Sequence, residues 1–228
     1  MASKSDSEKI CILTSSGLNS LCLLKRFSST GVKAQPVFVQ SGYRWEEAEL
    51  FWLKKYLRNN KLGGAGPLEI LQMPLRDVFG MHWSVTGVKV PAVSSNVSEM
   101  FLPGRTLAML LKAGVWATVN GFSSIAIGTS KDAGTPDSVE SFFRECERTL
   151  QTALGSGLRV QAPFLARTRE ELLFEAKDIG PELTFSCANP KGFQHCGDCF
   201  KCSDRKRAFA RTGVTDKTHY FSKAAVNG

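Results

Sequence analysis

The sequence predicts an α/β fold: a doubly wound, mainly parallel sheet followed by a small cysteine-rich segment. Three observations predict it. Short β-prone apolar runs alternate with stretches of helical spacing, the order that places a parallel sheet between two layers of helices. The first of these runs stops at a small polar loop, Thr14 to Ser20, that feeds directly into a helix. Cys187, Cys196, Cys199 and Cys202 crowd into one short stretch near the C-terminus.

The elements follow in order. The run Lys9 to Thr14 (KICILT) is apolar and β-prone, and LCLLKRF after the loop SSGLNS has helical character. AQPVFV, Ala34 to Val39, reads as a second buried strand. From Trp45 to Arg58, the residues Trp45, Ala48, Trp52 and Tyr56 form one broad helical stripe suited to packing. GGAGP is a turn, and Leu68 to Met73 a third strand. Pro74 to Met100 shows no sustained period, so it reads as a mobile excursion that folds over a site. Regular alternation then resumes. A helix is expected from about Thr106 to Asn120, a strand over Ser124 to Gly128, and a helix from about Ser138 to Leu154. A strand near Leu158 to Val160 and a helix from about Arg169 to Asp178 complete the pattern.

A chain of 228 residues, 43% hydrophobic, supports one large core with a small appendage. The expected division is an α/β domain over residues 1–180 and a C-terminal segment, 181–228, packed on it. No stretch approaches the roughly 20 uninterrupted apolar residues of a membrane helix. The N-terminal MASKSDSEK lacks the apolar core of a signal peptide, so a cytoplasmic protein is expected. The net charge of +8 suits solubility or an anionic partner such as a nucleotide or RNA. No separate RNA-binding domain is visible, and direct nucleic-acid binding is not expected.

Seven cysteines without an export signal point to metal ligation rather than a disulfide framework. Cys187, Cys196, Cys199 and Cys202 follow C-x8-C-x2-C-x2-C, with Gly197 and Asp198 allowing the tight turn of a knuckle. Four thiolates suit tetrahedral Zn2+ and leave no open position, which indicates a structural ion. An iron–sulfur cluster also takes four thiolates. His195 adjoins Cys196 as a rival ligand, while His82 and His219 show no catalytic spacing. Cys11, Cys22 and Cys146 stand alone and read as core.

In the loop Thr14 to Ser20, backbone N–H groups and the helix N-terminus can converge on a phosphate, with hydroxyls from Ser15, Ser16 and Ser20. The same residues make ordinary turns, and Asn19 would serve as an N-cap. Arg105 follows a Pro-Gly turn and opens a helix, where its fork can reach a phosphate or carboxylate or simply lie on the surface.

SSGLNS resembles the SGGxDS pyrophosphate loop of N-type ATP pyrophosphatases. Together with Phe101-Leu102-Pro103-Gly104-Arg105, with Gly128 and Pro136-Asp137, and with the cysteine knuckle, the chain resembles the 7-cyano-7-deazaguanine synthases, or QueC family, from about Ile10 to Arg211. The resemblance implies an adenine nucleotide alpha hydrolase-like, Rossmann-like fold. It implies an ATP-dependent ligase that uses ATP with Mg2+ to adenylate a deazapurine carboxylate such as 7-carboxy-7-deazaguanine. Ammonia then completes the reaction to 7-cyano-7-deazaguanine. It places Ser15, Ser16, Gly17, Asn19 and Ser20, with Arg44, at the nucleotide, and Arg105, Arg169 and Asn19 at the chemistry. Gly128, Asp132, Asp137 and Ser138 fall at the deazaguanine. A homodimer is implied as well.

Several positions depart from the family pattern. Ser16 stands for a glycine and Asn19 for an aspartate, which leaves no loop carboxylate for magnesium. Gln40 replaces another acid, and Ser138-Val139 replaces Cys-Arg. These changes raise two alternatives: a divergent paralogue that joins the activated deazaguanine to another amine, including one on a protein, or a binding module for nucleotide or deazapurine.

Overall fold

The computed structural model describes residues 8–221, and of Lys177 and Asp178 the backbone alone. The MASKSDS stretch read above for targeting, and residues 222–228 of the C-terminal segment, lie outside the described residues. Five parallel strands make one sheet, β1 (Lys9–Leu13), β2 (Lys33–Gln40), β3 (Glu69–Gln72), β4 (Ser124–Ile127) and β5 (Arg159–Gln161), in the order β3-β2-β1-β4-β5. Ile12 on the central strand sits opposite Pro36 on one side and Ala126 on the other.

The helices are α1 (Leu18–Ser28), α2 (Glu46–Asn59), α3 (Arg76–Phe79), α4 (Trp83–Thr86), α5 (Arg105–Val119), α6 (Glu140–Leu154), α7 (Arg169–Glu175) and α8 (Phe200–Thr212). Alternation along β1 divides them between the two faces of the sheet. Cys11 and Leu13 pack with Leu110, Ala113 and Ala117 of α5 and Phe143, Cys146 and Leu150 of α6. Ile10 and Ile12 face the other way, onto Leu23 and Leu24 of α1 and Leu172 of α7. Each fully buried aliphatic side chain contributes about 1.5–3 kcal/mol, so this two-sided burial explains why β1 reads as a continuous apolar run.

The chain winds outward from β1 to β2 and β3, then returns through the 74–104 excursion and α5 to place β4 on the opposite side of β1. The order reverses between β1 and β4, and their carboxyl ends open a crevice there. Among the described residues, no helix is long and apolar enough to cross a membrane.

The expected strands and helices appear, with shifts at their ends. The Ser138 helix begins at Glu140 because Thr135 and Ser138 bond each other in a preceding 3-10 turn over Pro136–Ser138. The 169–178 helix is α-helical only to Glu175 and tightens to a 3-10 turn over Ala176–Ile179. The excursion carries α3, α4 and a 3-10 turn over Val97–Met100. Helix α8, which springs directly from the cysteine cluster, was not anticipated from the pattern of apolar residues.

Candidate active site

The crevice at the β1/β4 switch is a cavity of about 370 Å³, in the range of small-molecule sites. Its floor comes from Leu13 and Thr14 of β1 and Ile127 and Gly128 of β4. The start of α1, the start of α5, Arg169, the stretch Thr184 to Ala188 and Lys201 of α8 form much of the rest. Trp83, Val97 and Met100 come from the excursion, which therefore supplies part of the wall.

The loop after β1 is held by its own hydroxyls. Ser20 Oγ accepts from the Ser15 N–H at 2.7 Å and donates to Leu13 O at 3.2 Å, while Ser15 Oγ accepts from the Gly17 N–H at 3.2 Å. Gly17 is the N-cap of α1. It has no capping side chain, and no acidic residue lies in the first turn. The positive end of an 11-residue helix therefore opens on the crevice with its first N–H groups available. Asn19 lies inside this first turn and lines the crevice rather than capping the helix. Ser16 points elsewhere: it is fully buried, and its Oγ donates to Phe185 O at 3.3 Å. The Phe185 N–H returns a bond to Ser16 O at 2.7 Å. The backbone of Ser16 is not in the positive-φ region, so the serine replaces the family glycine without strain there. Gly128 is sterically required, because a Cβ there would sit 2.9 Å from the Asn19 carbonyl carbon and oxygen and 3.1 Å from Ser20 N.

Four cations line the crevice: Arg105, Arg169, Lys201 and Arg205, the last held by bonds to Thr218 Oγ1, Thr184 Oγ1 and Pro181 O. The Arg105 guanidinium lies 5.5 Å from the Tyr43 ring centroid, and its Nε is buried without a hydrogen-bond partner among the described residues. Arg169 ion-pairs with Asp204, and its backbone N–H donates to Asp132 Oδ2 at 2.6 Å. Burial, then the nearby Arg169 and Arg105, pushes the Lys201 ammonium down to about 8 against the opposing pull of Glu49. Glu49 is pushed up to about 7 by burial, against Arg105 and Lys201. Glu46, also on the wall, is raised by burial while its carboxylate accepts the N–H groups of Ser41 (2.9 Å) and Gly42 (2.6 Å). Trp45 and Trp83 line the same region, 5.7 Å apart between ring centroids.

The other expected site residues divide. Ser15, Gly17, Asn19, Ser20, Gly128, Asp137 and Ser138 line the crevice together with Arg105 and Arg169. Asp137 accepts from Thr135 Oγ1 at 2.6 Å, and Ser138 Oγ donates to Thr135 O at 2.6 Å. Asp132 stands off the crevice wall at the start of α7, and Arg44 is exposed, with its Nε donating to Asn189 Oδ1 at 2.9 Å. Glu49 and Lys201 were not singled out from the sequence. Glu49 interrupts the packed stripe of α2, the one available signal; Lys201, between two thiolate ligands, gave none.

The four knuckle sulfurs are buried and lie within 4.8 Å of one another. Cys187 and Cys199, and Cys196 and Cys202, are each 3.9 Å apart. A tetrahedral ion with Zn–S bonds of about 2.3 Å needs sulfurs about 3.8 Å apart. The N–H groups of Ala188, Cys196 and Cys199 point at sulfurs at 3.5, 3.3 and 3.4 Å, as partners of thiolates do. The cluster thus fits structural zinc. His195 is not a rival, since its Nε2 accepts the Ser186 N–H at 3.1 Å and the four sulfurs already group without it. Ala48, Phe185 and Ala188 pack on the cysteines, with Trp52 beside them. The knuckle therefore buttresses α2 and the 184–188 wall.

The family model described as queuosine biosynthesis protein QueC matches residues 9–213. A 7-cyano-7-deazaguanine synthase of Leptospira interrogans is 30% identical over 230 residues, covering 95% of this chain and 93% of that protein. The enzyme of the same name from Anaeromyxobacter dehalogenans is 28% identical over 95% of this chain and 97% of its own. Among solved structures, a 4-thiouridine synthetase–RNA complex with bound ATP overlaps at a TM-score of 0.49 and 17% identity, over 90% of this chain and 50% of that one. With the family model spanning most of the sequence, the chain belongs to the QueC family.

Proposed function

We propose that the chain is an ATP-dependent carbon–nitrogen ligase that adenylates a deazapurine carboxylate, 7-carboxy-7-deazaguanine, and passes it to ammonia. The observation that carries this reading is the convergence on one crevice of an uncapped helix N-terminus and four cations, Arg105, Arg169, Lys201 and Arg205. The names of the relatives supply the substrate class. A carboxylate oxygen attacks the α-phosphorus of ATP, and the bond to the bridging oxygen breaks. Pyrophosphate departs against the N–H groups of Leu18 and Asn19 at the start of α1. Arg105, whose buried Nε has no hydrogen-bond partner among the described residues, offsets the developing charge. Ammonia then displaces AMP at the acyl carbon, and the same activation of the resulting amide oxygen leads to the nitrile. Magnesium, when bound with the nucleotide, would neutralise charge on the phosphates, and Ser15 and Asn19 of the loop would offer it neutral oxygens.

The test is incubation with ATP, Mg2+ and 7-carboxy-7-deazaguanine, with and without ammonia, followed by mass spectrometry. Nitrile, AMP and pyrophosphate are expected only when all components are present. ATP turnover indifferent to the carboxylate, or no turnover at all, would overturn the reading. AMP release with mass added to a protein would instead identify a protein acceptor. We take the working form to be a cytoplasmic homodimer that makes no direct contact with nucleic acid. Leu107, Leu111, Val115 and Val119 support a dimer as an exposed apolar stripe along α5, and light scattering checks it.

A further inference from the structure

Three carboxylates line the crevice: Glu46, Glu49 and Asp137. Two of them are engaged. Glu46 accepts the Ser41 and Gly42 N–H groups, and Asp137 accepts the Thr135 hydroxyl. Asp132, the other acid expected at the base, stands off the wall and accepts the Arg169 N–H. Glu49 differs: among the described residues, no hydrogen bond and no ion pair within 4.0 Å holds its carboxylate, and Arg105 and Lys201 attract it from beyond that distance. An ionised carboxylate has about four lone-pair sites to fill. Partly buried and without donors, Glu49 favours a ligand that brings N–H groups to it. The wall beside it suits a flat ring. The Glu49 N–H donates to Trp45 O at 2.9 Å, so the two residues lie one turn apart on one face of α2. Trp45 and Trp83 are 5.7 Å apart between ring centroids, and Met100 and Leu102 line the same cavity. Indole faces and a thioether accommodate a heteroaromatic bicycle. The carboxylate then decides which one. A guanine-type edge presents two adjacent donors, a ring N–H and an exocyclic amine, that match the two oxygens of one carboxylate; an adenine edge sets an acceptor beside its donor and is disfavoured.

We propose that Glu49 is the residue that selects the base of the substrate, accepting the ring N–H and the exocyclic amine of the deazaguanine with its two carboxylate oxygens. This rests on the deazapurine reading above. Recognition of that edge thereby moves from the 128–138 side of the crevice, where Asp137 and Ser138 are bonded within their own turn, to α2. No bond is made or broken at Glu49 and no proton moves. Its part is to hold the bicycle in the crevice and to reject bases without the amine, which would leave carboxylate oxygens unpaired.

The experiment is calorimetric binding of 7-deazaguanine and of 7-deazahypoxanthine, which lacks the exocyclic amine, to wild type, Glu49→Gln and Glu47→Gln. Mg-ATP is present, since bases without a carboxylate cannot consume it, and the pH is about 8, above the value of about 7 to which burial raises Glu49. Glu47, exposed on the same helix, is the control. Wild type should prefer 7-deazaguanine by about 10-fold or more. Glu49→Gln should bind 7-deazaguanine about 10- to 100-fold more weakly, with its preference reduced to about threefold or less, while Glu47→Gln matches wild type. In turnover, Glu49→Gln should lose kcat/KM for 7-carboxy-7-deazaguanine and keep the KM for ATP and for ammonia. In a companion measurement on wild type, 7-deazaguanine should slow carbodiimide coupling of Glu49 to glycine ethyl ester, read by peptide mass spectrometry, at least fivefold while leaving Glu47 unchanged. That arm decides the matter if Glu49→Gln loses its fold. Four results overturn the proposal: wild type that binds the two bases equally or binds neither, Glu49→Gln with the wild-type preference, a loss confined to ATP or ammonia, or coupling of Glu49 indifferent to the base. Wild type that selects 7-deazaguanine through Glu49 yet forms no AMP from the carboxylate would instead support this role and sink the ligase reading.

Discussion

Replacing Gly128 with alanine tests whether the phosphate site depends on the close approach of β4 to α1. The added methyl would lie 2.9 Å from the Asn19 carbonyl carbon and oxygen and 3.1 Å from Ser20 N. Carbon–carbon contacts relax at about 3.5 Å, so the first turn of α1 must retreat by roughly 0.6 Å. Backbone on both sides leaves no flexible side chain to absorb the strain. Overpacking of this kind costs about 1–3 kcal/mol of stability. Because the displaced atoms carry the donors for pyrophosphate, a half-ångström shift should also cost about tenfold in kcat, given roughly 100-fold for 1 Å. Gly157→Ala is the control: nothing lies within 4 Å of its Cβ and its φ is not positive, so it should be neutral or slightly stabilising. Urea unfolding and pyrophosphate release read both. If Gly128→Ala is as stable and active as Gly157→Ala, the argument that this contact shapes the loop is refuted.

Three further outcomes follow from the same geometry. Cys199→Ser should reduce bound zinc from about one equivalent to background and loosen the 184–188 wall; metal analysis with near-ultraviolet circular dichroism of Trp52 checks it, and a variant with full zinc would contradict the assignment. Glu49→Gln should stabilise the protein as pH rises. The folded-state value of about 7 lies above the ordinary 4.5, so wild-type stability is full below about pH 4.5 and is lost as pH rises through 7. The variant should gain about 1–3 kcal/mol over wild type at pH 8 and less than about 1 at pH 5; a gain independent of pH would refute the cause. Arg205→Met should cost about 2–4 kcal/mol by thermal unfolding, because the buried guanidinium bonds Thr218 Oγ1, Thr184 Oγ1 and Pro181 O at 2.9, 2.7 and 2.8 Å. A loss below about 0.5 kcal/mol would show that these bonds contribute little net stability.

The sheet was legible because its inner strands are buried on both faces, so runs such as CIL and VFV stand out without any alternation to decode. The knuckle was legible for a different reason: ligand spacing is set by the geometry of one ion and survives in sequence as a fixed pattern. Helix α8 was obscured by that same cluster. It begins at a ligand, is strongly polar, and buries an arginine alongside Phe200, Ala208 and Phe209, so no apolar period announces it. Ser16 shows a different limit. A hydroxyl in a phosphate-type loop reads as a donor to ligand, yet its rotamer turns it to Phe185 O, a residue 169 positions away in sequence. Arg44 follows the same logic, since its pairing with Asn189 depends on where the C-terminal segment crosses α2. The convergence of Glu49 and Lys201 likewise joins distant elements. Local pattern carries strands, turns and ligands; the direction of a polar side chain depends on what the tertiary fold brings beside it.

The departures from the family loop leave the shape of the crevice and much of its lining in place. Ser16 is accommodated without backbone strain, and the helix end proposed to receive phosphate is uncapped. Asn19 removes a charge from the loop, but Arg105, Arg169 and Lys201 remain on the wall. The most direct test of carboxylate adenylation is isotopic. With 7-carboxy-7-deazaguanine labelled with oxygen-18 in both carboxylate oxygens, ATP, Mg2+ and ammonia, mass spectrometry should find two labelled oxygens transferred to AMP, one on each of two AMP molecules, for each carboxylate converted to nitrile. Label appearing in inorganic phosphate, or AMP formed without label, would contradict attack by the carboxylate at the α-phosphorus.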